Sequence, residues 1–147
     1  MGLIDFIKNV GANLFGKGED EATTITTLLN TELPNQITNL QVKFDDGVVD
    51  LYGQAASQAV KEKAVLLAGN IKGVAKVNDV YLTAPAAPPA EETTYYEVKS
   101  GDSLSKIAKS FYGNAMKYPV IFEANREVIK NPDLIYPGQK LRIPKIV

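Results

Sequence analysis

The chain has 147 residues, a formal net charge of −1, 45% hydrophobic and 22% charged residues, a globular balance and not a disordered one. A near-neutral chain offers nucleic acid no electrostatic footprint. It has no cysteine and no histidine, which excludes disulfides, thiolate or Ser-His-Asp catalysis, zinc–cysteine sites and an imidazole switch near neutral pH.

The chain opens "MGLIDFIKNVGANLFG". Residues 2–15 place Leu3, Ile4, Phe6, Ile7, Val10 and Leu14 on one helical stripe. Its polar face is poor in Lys and Arg, so a helix docked on its own domain is favoured over one lying on a membrane. No basic residue precedes the apolar stretch, and Asp5, Lys8 and Asn9 interrupt it, unlike the h-region of an export signal. Phe6 stands where an N-myristoyl signal needs Ser or Thr. The expectation is a mature N-terminus and a cytoplasmic protein.

Residues 20–33 start with acids, repeat Ile25, Leu28, Leu29 and Leu33, and stop at Pro34, predicting a helix. Leu40, Val42 and Phe44 alternate with polar residues as a half-buried strand does. Asp46-Gly47 supplies a hairpin turn, and Val49 and Leu51 continue the alternation on the return strand. Ser57 caps a helix to about Ala68 with Val60, Ala64 and Leu67 inward, Gly69 ends it, and 74–82 is a strand.

Residues 84–94, "APAAPPAEETT", form a semi-rigid linker. Seven Lys and ten Asp+Glu precede it, net −3, whereas nine Lys+Arg and seven Asp+Glu from 84 onward give net +2. Beyond it, Tyr96 and Val98 begin a strand. Asp102 caps a helix whose Leu104, Ile107, Ala108 and Phe111 share one face, and Gly113 ends it. Asn114 caps a second helix carrying Tyr118, Ile121 and Phe122. Pro137-Gly138 turns into a closing strand with Leu141 and Ile143 buried. The fold class is therefore α+β in two small domains: α-β-β-α-β with an extra N-terminal helical segment over 1–83, and β-α-α-β over 95–147.

The catalytic candidates are weak. Asp45-Asp46 falls in a hairpin turn and Glu91-Glu92 in the linker, so both pairs read as solvated surface charge. "DDGVVD" lacks the alternating oxygens of an EF-hand, and "GNIKG" lacks the Gly-Lys-Ser/Thr of a P-loop. The chain does not read as an enzyme.

Val98, "GDSL" at 101–104, Ile107-Ala108, Tyr112-Gly113, Ala124-Asn125, "PGQ" at 137–139, Leu141 and Ile143-Pro144 closely resemble a LysM domain. "VKFDDGVVDLYG", "SQAVKEKAVLLAGNIKGVAKV" and the strand after it resemble a BON domain. In this order, after "MGLIDFIKNVG", the chain resembles the BON–LysM family of bacterial cytoplasmic potassium-binding proteins over its full length.

The resemblance implies K+ binding by the BON half, completed by the N-terminal segment. It implies a sensor or buffer in which binding is coupled to compaction with the LysM half, with rubidium or caesium as substitute ions. Potassium is held by neutral carbonyl oxygens, so it leaves no acidic motif. Carbonyls at helix ends lack intrahelical partners and carry partial negative charge. The breaks at 7–13 and 69–75 are such places, and they nominate the carbonyls of Ile7, Val10, Ala12, Gly69, Ile71 and Val74. The alternative is peptidoglycan binding by the LysM half. Backbone groups at Gly101, Asp102, Ser103 and Leu104 would then bond N-acetyl groups while Leu104, Ile135 and Tyr136 contact sugar faces. No nucleic-acid partner is expected, and a membrane partner is disfavoured.

Overall fold

The computed structural model describes residues 3–11, 13–15, 20–85 and 93–145. The chain divides into two units, Met1–Ala86 and Ala87–Val147. Residues 86–92 of the expected 84–94 linker, with Glu91-Glu92, lie outside the described residues, and Thr93 and Thr94 belong to a strand and not to the linker.

Unit 1 begins with strand β1 (Leu3–Asp5), then helix α1 (Glu21–Glu32), β2 (Ile37–Asp45), β3 (Val48–Ala55), α2 (Gln58–Gly69) and β4 (Lys76–Thr83). The strands form one sheet in the order β1-β4-β3-β2. β2 and β3 pair antiparallel, and β3 and β4 pair parallel across the α2 crossover. Asp46 and Gly47 both take positive φ, 47° and 82°, the geometry of a tight hairpin turn. The Asp20 carboxylate caps α1 through the Thr23 amide, and the Ser57 hydroxyl caps α2 through the Val60 amide. Ile25, Leu29 and Leu33 are buried, as the periodicity predicts, and Val49, Leu51, Val60, Ala64, Leu67, Val77 and Leu82 are buried in the same unit.

The first segment departs from the expected helix. Leu3, Ile4 and Asp5 pair antiparallel with Asn78, Val77 and Lys76 of β4. The helical stripe does not bury: Leu3 is 59% exposed, Ile7 40% and Leu14 40%, while Phe6 is 7% exposed. A helix this short is marginal in water, whereas the open edge of β4 offers main-chain partners that must be satisfied. Tertiary pairing therefore overrides the 3.6-residue pattern.

Asp79 is a buried acid, 8% exposed, on the same face of β4 as Val77. Burial raises its carboxyl above the usual carboxylate range, offset in part by Lys61 on α2.

Unit 2 contains β5 (Thr93–Glu97), α3 (Leu104–Tyr112), a 3-10 turn (Ala115–Lys117), α4 (Tyr118–Ala124) and β6 (Lys140–Pro144). β5 and β6 pair antiparallel from Thr93↔Pro144 to Glu97↔Lys140. The core is Val98, Leu104, Ile107, Ala108, Ile121, Ile129, Leu141 and Ile143. Phe111 stays 42% exposed and packs edge-on against Tyr96. Asn114 caps the 3-10 turn and not α4 itself, because Pro119 opens that helix.

The cap of α3 is Ser103, whose hydroxyl accepts from the Lys106 amide. Asp102, expected as the cap, instead accepts from the Tyr96 hydroxyl at 2.5 Å and the Lys99 amide at 2.8 Å. The Tyr96 hydroxyl thereby has its pKa pushed up to about 12, and the Asp102 carboxyl is held low by the same bond.

Asn125, 1% exposed, ties α4 to β6. Its amide donates to the Ile121 carbonyl at 2.7 Å and the Arg142 carbonyl at 2.8 Å, and its carbonyl accepts from the Arg142 amide at 2.9 Å. An unsatisfied buried polar group costs about 1–3 kcal/mol. Asn125→Ala strands both main-chain groups of Arg142, so urea denaturation of unit 2 is expected to show a loss of about 3 kcal/mol, a large share of the stability of so small a core.

A second expectation concerns pH. A carboxyl with a raised folded pKa binds its proton more tightly folded than unfolded, so it weakens the fold as pH rises from about 4 through the raised value. Asp79→Asn is expected to flatten that part of the pH–stability profile and to stabilise unit 1 at pH 7, read by denaturation at pH 4, 5, 6 and 7.

Candidate functional site

Sequence reasoning nominates two groups of carbonyls, and the structure brings their segments together. α2 ends at Gly69, Asn70 is its C-cap, and a turn closed by Val74 N–H to the Ile71 carbonyl at 3.1 Å follows. Opposite it, the segment after β1 makes a turn closed by Val10 N–H to the Ile7 carbonyl at 3.2 Å. The Gly73 amide donates to the Lys8 carbonyl at 2.6 Å, and the Phe6 amide donates to the Ala75 carbonyl at 2.8 Å. The Gly47 carbonyl accepts from the amides of Ala75 and Lys76 at 2.7 and 3.2 Å, pinning the same loop from the hairpin side.

Three glycines permit this approach. Gly11 has φ +123°, and a Cβ there would collide with the Asn70 carbonyl and crowd the Ile71 main chain at 3.1 Å. A Cβ on Gly69 would collide with three atoms of the Phe6 ring. A Cβ on Gly73 would lie 3.2 Å from the Phe15 ring, which itself packs edge-on against Phe44 with centroids 5.3 Å apart.

Ile7 and Val10 therefore lie on one turn and Ile71 and Val74 on another in direct main-chain contact with it, and Gly69 ends the helix that leads into the second. Ala12 lies outside the described residues. Among the described residues, the Ile7 and Ile71 carbonyls each accept one turn hydrogen bond. The dipole argument applies to one side only: α2 directs its C-terminus here, with no basic residue in its last turn, whereas 7–11 is not a helix end. Sequence reasoning passed over the carbonyls of Asn70 and Lys8, which sit at the contact itself. The glycine in "NVGAN" was the available signal for Asn70, because its positive φ and close approach are what fix that carbonyl's neighbour.

The residues nominated for glycan do structural work in unit 2. The Gly101 carbonyl accepts from the Lys106 ammonium at 3.1 Å, Asp102 is held by Tyr96 and Lys99, and Ser103 caps α3. Leu104 is 2% exposed and belongs to the core, so little of its side chain reaches the surface. Ile135 packs on that core, and Tyr136 is half-buried. A groove of about 310 Å³ does open beside them, lined by Leu104, Ser105, Tyr118, Pro132 and Asp133. Among the described residues no helix is long and apolar enough to cross a membrane.

Residues 21–83 match the BON domain family and residues 96–144 the LysM domain family. Over 152 aligned positions, covering 99% of both chains, the protein is 42% identical to the potassium binding protein Kbp of Escherichia coli O6:H1. The chain belongs to that BON–LysM family. It is also 42% identical over 123 positions to an uncharacterized protein of Deinococcus radiodurans, and 27% identical over 141 positions to an endolysin of Bacillus phage B103. It spans 47% and 48% of those two proteins' own lengths.

Gly11→Ala places a methyl group against the Asn70 carbonyl at a strained φ. Hydrogen exchange is expected to show faster exchange at the Gly73 and Phe6 amides, with the Asn125 network of unit 2 unaffected.

Proposed function

We propose that this chain binds potassium ions through main-chain carbonyls of the two apposed turns, with Ile7, Val10, Ala12, Gly69, Ile71 and Val74 as the ligand set. The observation that carries the proposal is the close packing of Gly11 on Asn70 and Ile71, which sets two carbonyl-bearing turns against each other at the C-terminus of α2. The whole-length similarity to a potassium binding protein supports it. Neutral oxygens suit a large, weakly hydrated monovalent ion, and rubidium and caesium are the expected substitutes. Calcium or magnesium calls for carboxylates, which the nominated set lacks. The protein acts in the cytoplasm as a sensor or buffer, and ion binding is coupled to the LysM half.

A second reading, a peptidoglycan site in unit 2, is favoured by the groove beside Leu104 and Asp133 and by the similarity to an endolysin. Pull-down on purified peptidoglycan separates the two readings, since only the second expects retention.

The deciding experiment is thermal unfolding of potassium-free protein titrated with KCl, against NaCl at matched ionic strength. A ligand bound only by the folded state adds about 2.7 kcal/mol at 100 times Kd. The expected result is an upward shift with potassium or rubidium and little with sodium, accompanied by a smaller hydrodynamic radius. Equal shifts with sodium and potassium would sink the proposal.

A further inference from the structure

We infer that Phe6 and Phe15 are the positioning residues of the ion site, two aromatic anchors that hold one carbonyl turn in register with the other. The inference rests on the potassium reading above and assigns control of that site to side chains that do not ligate. Ligands that are all main-chain oxygens cannot be chosen by side-chain identity. What the sequence can choose is where the main chain sits.

The two anchors bracket the first turn, one before it and one after. Phe6 is 7% exposed, and its ring fills the space over Gly69 where any side chain would have to go. Phe15 lies over Gly73, within 3.2 and 3.4 Å of a Cβ position there, and is backed by Phe44 at 66° between ring planes. Each anchor thus occupies a glycine at one end of the second turn. Between them lie the contact of Gly11 with Asn70 and the 2.6 Å bond from Gly73 to Lys8. With both rings seated, the first turn is fixed at both ends and cannot slide along the second. With either ring removed, one end is held by main-chain bonds alone. A potassium cage tolerates little such drift, because misplacing a carbonyl by a fraction of an ångström changes the cavity size or the ligand field that distinguishes potassium from sodium.

The test uses the full-length protein, titrated with KCl and separately with NaCl, with ion affinity read by calorimetry and folding by circular dichroism. Phe6→Ala and Phe15→Ala are each expected to weaken potassium binding at least tenfold and to narrow the potassium-to-sodium ratio. Phe6→Leu, which refills part of the slot, is expected to recover much of the loss. Gly69→Ala is expected to weaken binding as Phe6→Ala does. The double variant Phe6→Ala/Gly69→Ala should be no weaker than either single one, because the colliding ring is gone.

A structural role alone would lower the melting temperature equally with and without potassium. The expected loss lies in the potassium-dependent shift. If Phe6→Ala does not fold, Phe15→Ala, whose ring is only half-buried, carries the test. Folded variants that bind potassium within twofold of the parent chain overturn the inference. A parent chain with no potassium response overturns the potassium reading itself, and this inference with it, before any variant is made.

Discussion

Main chain can lie on main chain only where no side chain intervenes, and unit 1 is organised around one such contact, Gly11 on Asn70 and Ile71. The contact sets the path of the first segment: β1 must run antiparallel along β4, Phe6 must enter beside Gly69, and the Lys8 carbonyl must meet the Gly73 amide. It also covers an edge of β4 that would otherwise present unpaired groups to water or to another chain. The exposed Asp5–Lys76 ion pair on the same ladder, at 3.1 Å, adds little to this, since both side chains are well solvated. Hydrogen bonds and ring packing do the holding, and glycines make room for both.

Unit 2 solves a different problem. With so short a sheet, its core is small, and polar groups inside it must be satisfied side chain by side chain. Asn125 closes both main-chain groups of Arg142, and the Tyr112 hydroxyl donates to the Pro144 carbonyl at the end of β6. Tyr96 and Asp102 brace the loop into α3. Residues that resemble a carbohydrate-contacting loop thus also make that loop, and a groove opens beside them, lined by Leu104, Ser105, Tyr118, Pro132 and Asp133. A motif that builds a fold and a motif that binds a ligand can occupy the same residues.

Much of the fold was legible because its signals are local. Alternation in β2 and β3, the Asp46-Gly47 turn, the cap at Ser57 and the inward faces of α1, α2 and α3 all follow from neighbours within a few residues. The first segment was illegible for the converse reason. Its conformation is decided by β4, some 70 positions away, and its apolar residues fit a helix as well as a strand with a turn. Asp102 was misassigned as a cap because Asp and Ser are equally good caps; the choice between adjacent candidates is made by Tyr96, which only the folded β5 brings near. In the candidate site, the glycine-containing breaks were visible, but their apposition was not, and Asn70 and Lys8 went unnoticed because a carbonyl belongs to every residue alike.

That last point bears on why such a site would favour a monovalent cation. Stripping water from an ion is offset only by what the protein supplies in its place, and the cost rises steeply with charge. Carbonyl oxygens supply dipoles, and the C-terminus of α2 adds a fraction of a negative charge. This set can replace the weakly held water of a large monovalent ion but offers no formal charge to a divalent one. Smaller monovalent ions must then be rejected by geometry, by keeping the oxygens from closing in. That task falls to whatever fixes the distance between the two turns, and in unit 1 that distance is set by rings packed on glycines and by two inter-segment main-chain bonds. Selectivity in a site of this kind is therefore a property of packing around the cage, and substitutions that never touch the ion are the ones that should alter it most.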